Sequence, residues 1–346
     1  MAVNVTYLLG AGASYEILPL VKEVKNGNGE VIKKSLGNDI LEIAARYSGL
    51  KQRSPTDPNV FNEVIHDLSF LGNKCNFFSS PDTYIRSLYL RNSMDSHIEK
   101  CKLTFSFYLS LRQYLHTDFL DRRYIPFFAS ILSNNEGKVQ IPKNINLITW
   151  NYDFQIEAAL MFFETSQDTL DKAQEHFKSI PSNVEIPNPK IIHLNGIGGF
   201  YLSGDQRGFY PERRVRYESE EVHLTEAVRM YNEIVKSSTV QDNLTFAWEL
   251  SDKSHRRIEI ARDIASQSDI LVVIGYSFPF FNRAVDKAIF DGFISKSGKR
   301  KRIYIQDPNV NEDSISFIRQ RFDIKSRLVD IKPVPSVEQF FLPPEL

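Results

Sequence analysis

The sequence predicts an α/β protein, a Rossmann-like doubly wound parallel sheet that carries a helical insert. Three observations support this. Short apolar runs rich in β-branched residues recur along the 346 residues, five of them strong. Each run ends in small or polar residues. Helical or polar stretches separate one run from the next, as the crossovers of a parallel sheet require. The chain is long for one domain and short for three, so a single domain over residues 1–346 with helical appendages is expected. With 42% hydrophobic, 25% charged and 12% aromatic residues, a large core can form.

The first run, Val3-Asn4-Val5-Thr6-Tyr7-Leu8-Leu9, feeds directly into Gly10-Ala11-Gly12-Ala13-Ser14. A buried strand entering a tight turn and then a helix has this composition. Two readings of the turn stay open. Its N–H groups and the helix dipole could face a diphosphate, or its glycines could serve packing alone. Leu18-Pro19-Leu20 follows, and then Lys25-Asn26-Gly27-Asn28-Gly29-Glu30, whose Asn-Gly pairs read as a hairpin or an exposed loop.

From about Ile40 to Asn135 the periodicity is helical, which places a helical insert at about residues 35–140. Ile40, Ile43 and Ala44 share one face, as do Phe61, Val64, Ile65 and Leu68. The aromatic stretch Phe105-Ser106-Phe107-Tyr108-Leu109 reads as core or subunit interface. Basic residues do not alternate with these rings, so a base-stacking platform is not expected.

The second strand, Ile145 to Trp150, stops at Asn151-Tyr152-Asp153. The third, Lys190 to Leu194, ends at Asn195-Gly196. A second, loop-rich insert is expected at about 200–265, with helices at Glu220 to Val235 and Arg256 to Ala265. The most apolar strand, Asp269 to Ile274, ends at Gly275-Tyr276-Ser277. Arg302 to Ile305 ends at Gln306-Asp307-Pro308, and a short strand near Leu328 to Ile331 precedes a Pro-rich tail. Polar side chains therefore gather at the carboxyl ends of parallel strands, where open α/β sheets bind ligands. Of seven histidines, His193 alone closes a buried strand.

Other function classes find little support. The formal net charge of -1 gives no general attraction to nucleic acid or to an anionic membrane. The basic residues Lys296, Lys299, Arg300, Lys301 and Arg302 read as a solvated loop before a strand, so direct nucleic-acid binding is not expected. No apolar run approaches the roughly 20 residues of a membrane helix, and no membrane partner is expected. The strand beginning just after Met1 leaves no visible secretory leader. Two cysteines, Cys75 and Cys101, fit a reducing, cytoplasmic setting and cannot build a four-cysteine zinc site.

Taken in order, Gly10-Ala11-Gly12-Ala13-Ser14, Thr149-Trp150-Asn151-Tyr152-Asp153, His193-Leu194-Asn195-Gly196 and Gly275-Tyr276-Ser277 resemble the sirtuin family. In particular they resemble the bacterial sirtuin-like, NAD-consuming effectors of anti-phage defence. The resemblance touches four of the five main strands, with identity confined to their ends. Sirtuins carry a Gly-Ala-Gly-x-Ser turn, a Thr-Gln-Asn-Ile-Asp segment and a His-Gly pair. Asn151 and Asp153 keep the family spacing, whereas His193 stands three residues before Gly196. The deacylating members also have a zinc ribbon and a longer segment after the glycine turn. This chain lacks the four cysteines and, in Leu18-Pro19-Leu20, keeps only the proline. Both departures speak against a peptide-deacylating cleft, and no metal is implied.

The resemblance implies NAD as substrate and hydrolysis of its nicotinamide–ribose bond. Asp153 would grip the carboxamide, Asn151 would position the ribose or the water, and His193 would act as base. Histidine, with an ordinary pKa of about 6.5, suits that task near neutrality. Gly10, Ala11, Gly12 and Ser14 would take the diphosphate, and Gly275 and Ser277 the ribose and phosphate on the adenosine side. Asp307 would bind the adenine ribose or simply form the turn before Pro308. Such an enzyme needs restraint. The expectation is a homo-oligomer, a partner protein such as a motor ATPase or an Argonaute-like protein, or both, with the insert as the contact surface. A non-catalytic NAD or nucleotide sensor and a protein deacylase with a reduced cleft are the alternatives.

Overall fold

A computed structural model describes residues 2–53, 58–115, 120–164, 166, 169–180, 185–202, 220–236, 240–242, 244–249, 251–295, 300–325 and 327–346. Lys296 and Lys299 of the basic run, and residues 203–219 of the second expected insert, lie outside these. The chain forms two compact units. One comprises Met1–Ser14, Leu120–Gly196 and Thr245–Leu346; the other comprises Tyr15–Phe119 and Ile197–Leu244.

The first unit is an α/β, Rossmann-like fold on a seven-stranded sheet. Its strands are β1 (Val5–Leu9), β2 (Ile145–Thr149), β3 (Ser179–Ile180), β4 (Ile191–His193), β5 (Ile270–Ile274), β6 (Lys301–Gln306) and β7 (Val329–Val334). Their spatial order is β7-β6-β5-β1-β2-β4-β3, and every neighbouring pair is parallel. The strand order departs from β1 in both directions, through β2 on one side and β5 on the other. A doubly wound sheet opens its ligand crevice at such a switch point.

Each strand sits where its composition allows. β1 and β5 are buried at every residue, as central strands covered on both faces must be. β7 holds Pro333, which can donate no ladder bond and is tolerated at the edge. Alternation then divides the sheet into two faces. On one, Leu8, Ile148, Ile192, Val273, Ile303 and Ile305 pack against Ala261, Ala265, Ile289 and Phe293 of the helices Asp252–Gln267 and Arg283–Ser295. Burying each such large side chain contributes about 1.5–3 kcal/mol. The other face carries Tyr7, Leu147, Thr149 and His193. It meets the helices Tyr124–Ile131 and Gln155–Leu160 through an edge contact of Tyr7 with Phe127 and a hydrogen bond between His193 and Glu157.

The five main strands and the short one near residue 328 lie where the sequence places them, to within three residues at either end. Several pieces were not foreseen, among them the helices Leu170–Phe177 and Glu312–Arg321 and two details of the strands. β3 has only two residues, too few to register as an apolar run. The helical signal also ends at Ile131 rather than Asn135. There Ser133–Asn135 and Lys138–Gln140 form an antiparallel ribbon. Glu136 and Gly137 both take positive φ, 52° and 81°, the geometry of a two-residue hairpin loop.

The second unit is mainly helical, with Leu36–Arg53, Asn62–Phe78, Pro81–Leu90, Asp95–Leu115 and Glu220–Lys236. The first two helices approach closely. A Cβ on Gly72 would lie 3.0 Å from the Gly37 carbonyl oxygen, so both glycines are required by packing. Phe105, Phe107, Tyr108 and Leu109 are buried in this unit's core. Buried carboxylates tie the helices together. The Tyr108 hydroxyl donates to Asp39 at 2.6 Å, and the Tyr231 hydroxyl donates to Asp67 at 2.8 Å. The Asn-Gly segment is an exposed hairpin between Val24–Lys25 and Val31–Lys33. The Asn26 side-chain oxygen closes it by accepting the N–H groups of Asn28 and Glu30. Both cysteines are buried, and burial pushes their thiols up, Cys101 to about 12. Among the described residues no helix is long and apolar enough to cross a membrane.

Candidate functional site

The carboxyl ends of the central strands are level. Leu9 is in register with Thr149 and Ile274, Thr149 with His193, and Ile274 with Gln306. The ladder continues one residue further on each strand. Trp150 N–H donates to the Leu9 carbonyl, Leu194 N–H to Thr149, Gly10 N–H to Ile274 and Gly275 N–H to Gln306. Four turns therefore leave the sheet along a single edge, and they bear the sequence motifs.

The central pair of turns is held by glycine against glycine. Gly12 N–H donates to the Gly275 carbonyl at 2.9 Å. A Cβ on Gly12 would lie 2.7 Å from Gly275 Cα, and one on Gly275 would lie 2.5 Å from Gly12 Cα. Gly275 also has φ +59°, and a Cβ on Gly10 would meet Tyr276 at 2.6 Å. Packing thus accounts for all three glycines. The Gly10, Gly12 and Ala13 N–H groups are engaged by backbone carbonyls. Ala11 is exposed and Ser14 buried at the end of this short 3₁₀ turn, Ala11–Ser14.

Ser14 joins the first motif to the second, since its hydroxyl accepts the Asn151 side-chain amide at 3.2 Å. Asn151 is fixed further by its own N–H, which donates to the Thr149 hydroxyl at 3.0 Å. Asp153 is buried and accepts the Gln155 N–H at 3.1 Å, at the start of the helix Gln155–Leu160. Burial raises its carboxyl to about 6, against the Ser14 hydroxyl, the Gln155 N–H and the nearby His193, which pull it down. Gln155 in turn accepts the Asp121 N–H, and Asp121 holds Arg123, whose guanidinium donates to the Gly12 carbonyl at 2.8 Å. A polar chain thus links the second motif back to the glycine turn.

His193 is fully buried at the end of β4. Its Nε2 lies 2.8 Å from Glu157 Oε1, and its Nδ1 has no hydrogen-bond partner among the described residues. Glu157 Oε1 also accepts the Ser179 hydroxyl of β3 at 2.5 Å. Burial works to raise the Glu157 carboxyl, but the His193 and Ser179 contacts outweigh it and leave it below the usual carboxylate range. Sequence reading missed both partners. One signal was available: Glu157 is the lone acid within Ile156-Glu157-Ala158-Ala159-Leu160, and a buried acid needs a partner.

On the opposite face another buried carboxyl braces two of the motifs. Trp150 Nε1 donates to Asp286 at 3.2 Å, and the Tyr276 hydroxyl donates to it at 2.8 Å. Asn282 then donates to the Tyr276 hydroxyl at 2.9 Å. Burial raises Asp286 to about 7, against the Tyr276 hydrogen bond, the Arg321 charge and the Trp150 hydrogen bond. Phe278, a bulky residue at φ +53°, follows in the same turn and packs on Tyr276, Phe290 and Phe322. Backbone strain of this kind costs about 1–3 kcal/mol and persists only where surrounding contacts offset it.

The remaining candidates lie toward the rim. Ser277 is exposed. The Asp307 carboxyl accepts the Asn309 N–H at 2.9 Å, the turn-forming geometry expected before Pro308. The residue before it, Gln306, anchors the C-terminal tail by donating to the Ser336 and Gln339 carbonyls and accepting the Phe341 N–H. The structure therefore unites Ser14, Asn151, Asp153 and His193, and sets Ser277 and Asp307 at more open positions. Among the described residues no group of three or more His, Cys, Asp or Glu is placed to hold a metal ion.

No protein-family model matches the chain, and no curated protein matches it. A solved structure described as the structural basis of sirtuin substrate affinity is similar over 93% of this chain and 94% of that one, at 13% identity and a TM-score of 0.31. A likeness that loose carries no weight, and the fold stands on its own strand order and register.

Two outcomes test this geometry. Gly12→Ala should lose about 1–3 kcal/mol of stability, because the Gly275 backbone facing the new methyl cannot yield as a side chain could. Unchanged urea unfolding would refute the contact. The second concerns Asp286. A carboxyl protonated up to about 7 when folded, but only to about 4 when unfolded, stabilises the fold fully below about pH 4. That contribution is lost as pH rises to about 7. Relative to wild type, Asp286→Asn should therefore gain a few kcal/mol between pH 4 and 7. Parallel stability curves for the two proteins would rule this out.

Proposed function

We propose that this protein hydrolyses NAD at the nicotinamide–ribose bond, releasing nicotinamide and ADP-ribose. The observation that carries the reading is a buried histidine with an unpartnered Nδ1 at the same sheet edge as Ser14, Asn151 and Asp153. Those residues belong to the motifs that resemble the sirtuin family. Buried polar atoms are normally satisfied, so an unpaired ring nitrogen suits a group that meets its partner on a ligand.

The chemistry asks little of an acid. When the C1′–N bond breaks, its electron pair neutralises the pyridinium nitrogen, and nicotinamide departs uncharged. Positive charge builds on the ribose, and water forms the new bond to C1′ while giving up a proton. His193 Nδ1 would take that proton, or would first engage a ribose hydroxyl. Asn151, held between Ser14 and Thr149, would place the ribose or the water. Asp153, ionised above about pH 6, would accept the carboxamide N–H groups. The glycine turn would meet the diphosphate through Ala11 and Ser14, since Gly10, Gly12 and Ala13 N–H groups are already engaged. Gly275, Ser277 and Asp307 would lie toward the adenosine.

The test is to incubate the purified chain with NAD and to follow nicotinamide and ADP-ribose by chromatography. His193→Gln is the better control than His193→Ala, because Ala would remove the Nε2 contact from the buried Glu157 carboxylate, which a Gln amide can partly replace. Turnover should fall by about 10²–10⁴-fold in the variant. Nicotinamide released with no acylated peptide present separates hydrolysis from deacylation. Tight NAD binding with no release would replace the enzyme with a sensor.

The biological reading follows from the same resemblance. An NAD hydrolase acting as an anti-phage effector would deplete the infected cell of NAD and would have to stay silent otherwise. Restraint by self-assembly, or by a partner such as a motor ATPase or an Argonaute-like protein, is part of this proposal. The helical unit exposes Phe77, Leu90 and Met94, apolar residues that such contacts could cover. Sedimentation of the active preparation tests this. A strict monomer at full turnover, with no partner added, would end it.

A further inference from the structure

We propose that Glu157 is the positioning residue for His193: it holds the ring proton on Nε2 and so presents Nδ1 as the base. The inference rests on the reaction proposed above but makes a claim about the ring that holds without turnover. An ionised carboxylate has acceptors only, so the Nε2 that meets Glu157 Oε1 at 2.8 Å must be the donor. A neutral imidazole then carries its lone pair on Nδ1, the nitrogen left without a partner among the described residues. Once Nδ1 takes a proton, the adjacent carboxylate stabilises the imidazolium that forms. A buried carboxylate orienting a histidine serves this role in acyl-transfer enzymes of unrelated fold.

The fold makes Glu157 rigid as well as acidic. Its helix, Gln155–Leu160, begins two residues after Asp153 and is buried at every position. Ser179, on the edge strand beside β4, donates to the same oxygen that His193 meets. One oxygen thus receives two donors from neighbouring strands, while Oε2 has no partner among the described residues. A purely structural acid would more economically be an apolar residue of similar size, because a buried ion pair seldom exceeds good hydrophobic packing in stability.

Two measurements test the proposal. In ¹⁵N-labelled wild-type protein, NMR should find the His193 ring proton on Nε2, shifted downfield by its hydrogen bond to the carboxylate. A proton resident on Nδ1 would overturn the proposal, whether or not the protein turns over NAD. In the kinetic arm, Glu157→Gln should lower kcat by about 10²-fold or more while KM changes little. Added to His193→Gln, it should cost nothing further, since it acts only through that ring. A folded Glu157→Gln protein with wild-type kcat, or additive losses in the double variant, would overturn it. If Glu157→Gln fails to fold, the wild-type spectrum alone decides. A wild type that shows the Nε2 proton yet never releases nicotinamide would sink the proposed reaction and leave the ring assignment intact.

Discussion

The first unit depends on a contact between two backbones. Gly12 and Gly275 meet where a Cβ on either would lie within 2.7 Å of the other's Cα. This closeness lets the turns after β1 and β5 leave the sheet side by side. Parallel register brings the neighbouring strands to the same height, so Asn151 and His193 emerge beside that pair. A side chain at either glycine would push the turns apart, and Ser14 could no longer reach Asn151 at 3.2 Å. The arrangement of polar groups is thus set by a place in the fold where no side chain fits.

Buried carboxyls organise the two faces of the sheet in different ways. On one face Asp286, raised to about 7, receives Trp150 and Tyr276 and braces two strand ends from beneath. On the other, Glu157 is held below the usual range by His193 and Ser179. Both acids are fully buried, yet burial wins at the first and the partners win at the second. The difference lies in what meets them. Asp286 has neutral donors and a guanidinium at 3.8 Å, whereas Glu157 has an imidazole at 2.8 Å and a hydroxyl at 2.5 Å. Two direct contacts on one oxygen, one of them an imidazole, offset desolvation at Glu157. The Tyr276 and Trp150 hydrogen bonds and the more distant Arg321 charge do not offset it at Asp286.

The helical unit repeats this economy in a different setting. Asp39 and Asp67 are buried on separate helices, and each accepts a tyrosine hydroxyl from a helix distant in sequence. Tyrosine suits the position because its ring fills apolar space while its hydroxyl reaches the acid. The aromatic stretch from Phe105 to Leu109 therefore serves as core, with the polar tips of Tyr108 and Tyr231 marking where its helices are tied.

Much of this protein was legible in its sequence. Strands declared themselves because buried parallel strands are continuous apolar runs, and their ends declared themselves because polar residues cannot continue a run into the core. Sequence also marked Asn151, Asp153 and His193 as strand-end residues worth weighing. It could not rank the two uses of the glycine turn. Whether Gly12 serves a ligand or a neighbouring backbone depends on what lies opposite, and Gly275 is more than 260 residues away. For the same reason it could not pair Glu157 with His193, 36 residues apart, or foresee Ser179 on a two-residue strand that only edge pairing creates. Periodicity and composition are local properties, which the chain carries unfolded. The partner of a buried polar atom is a tertiary property, decided only when strand order and register bring distant residues to the same edge.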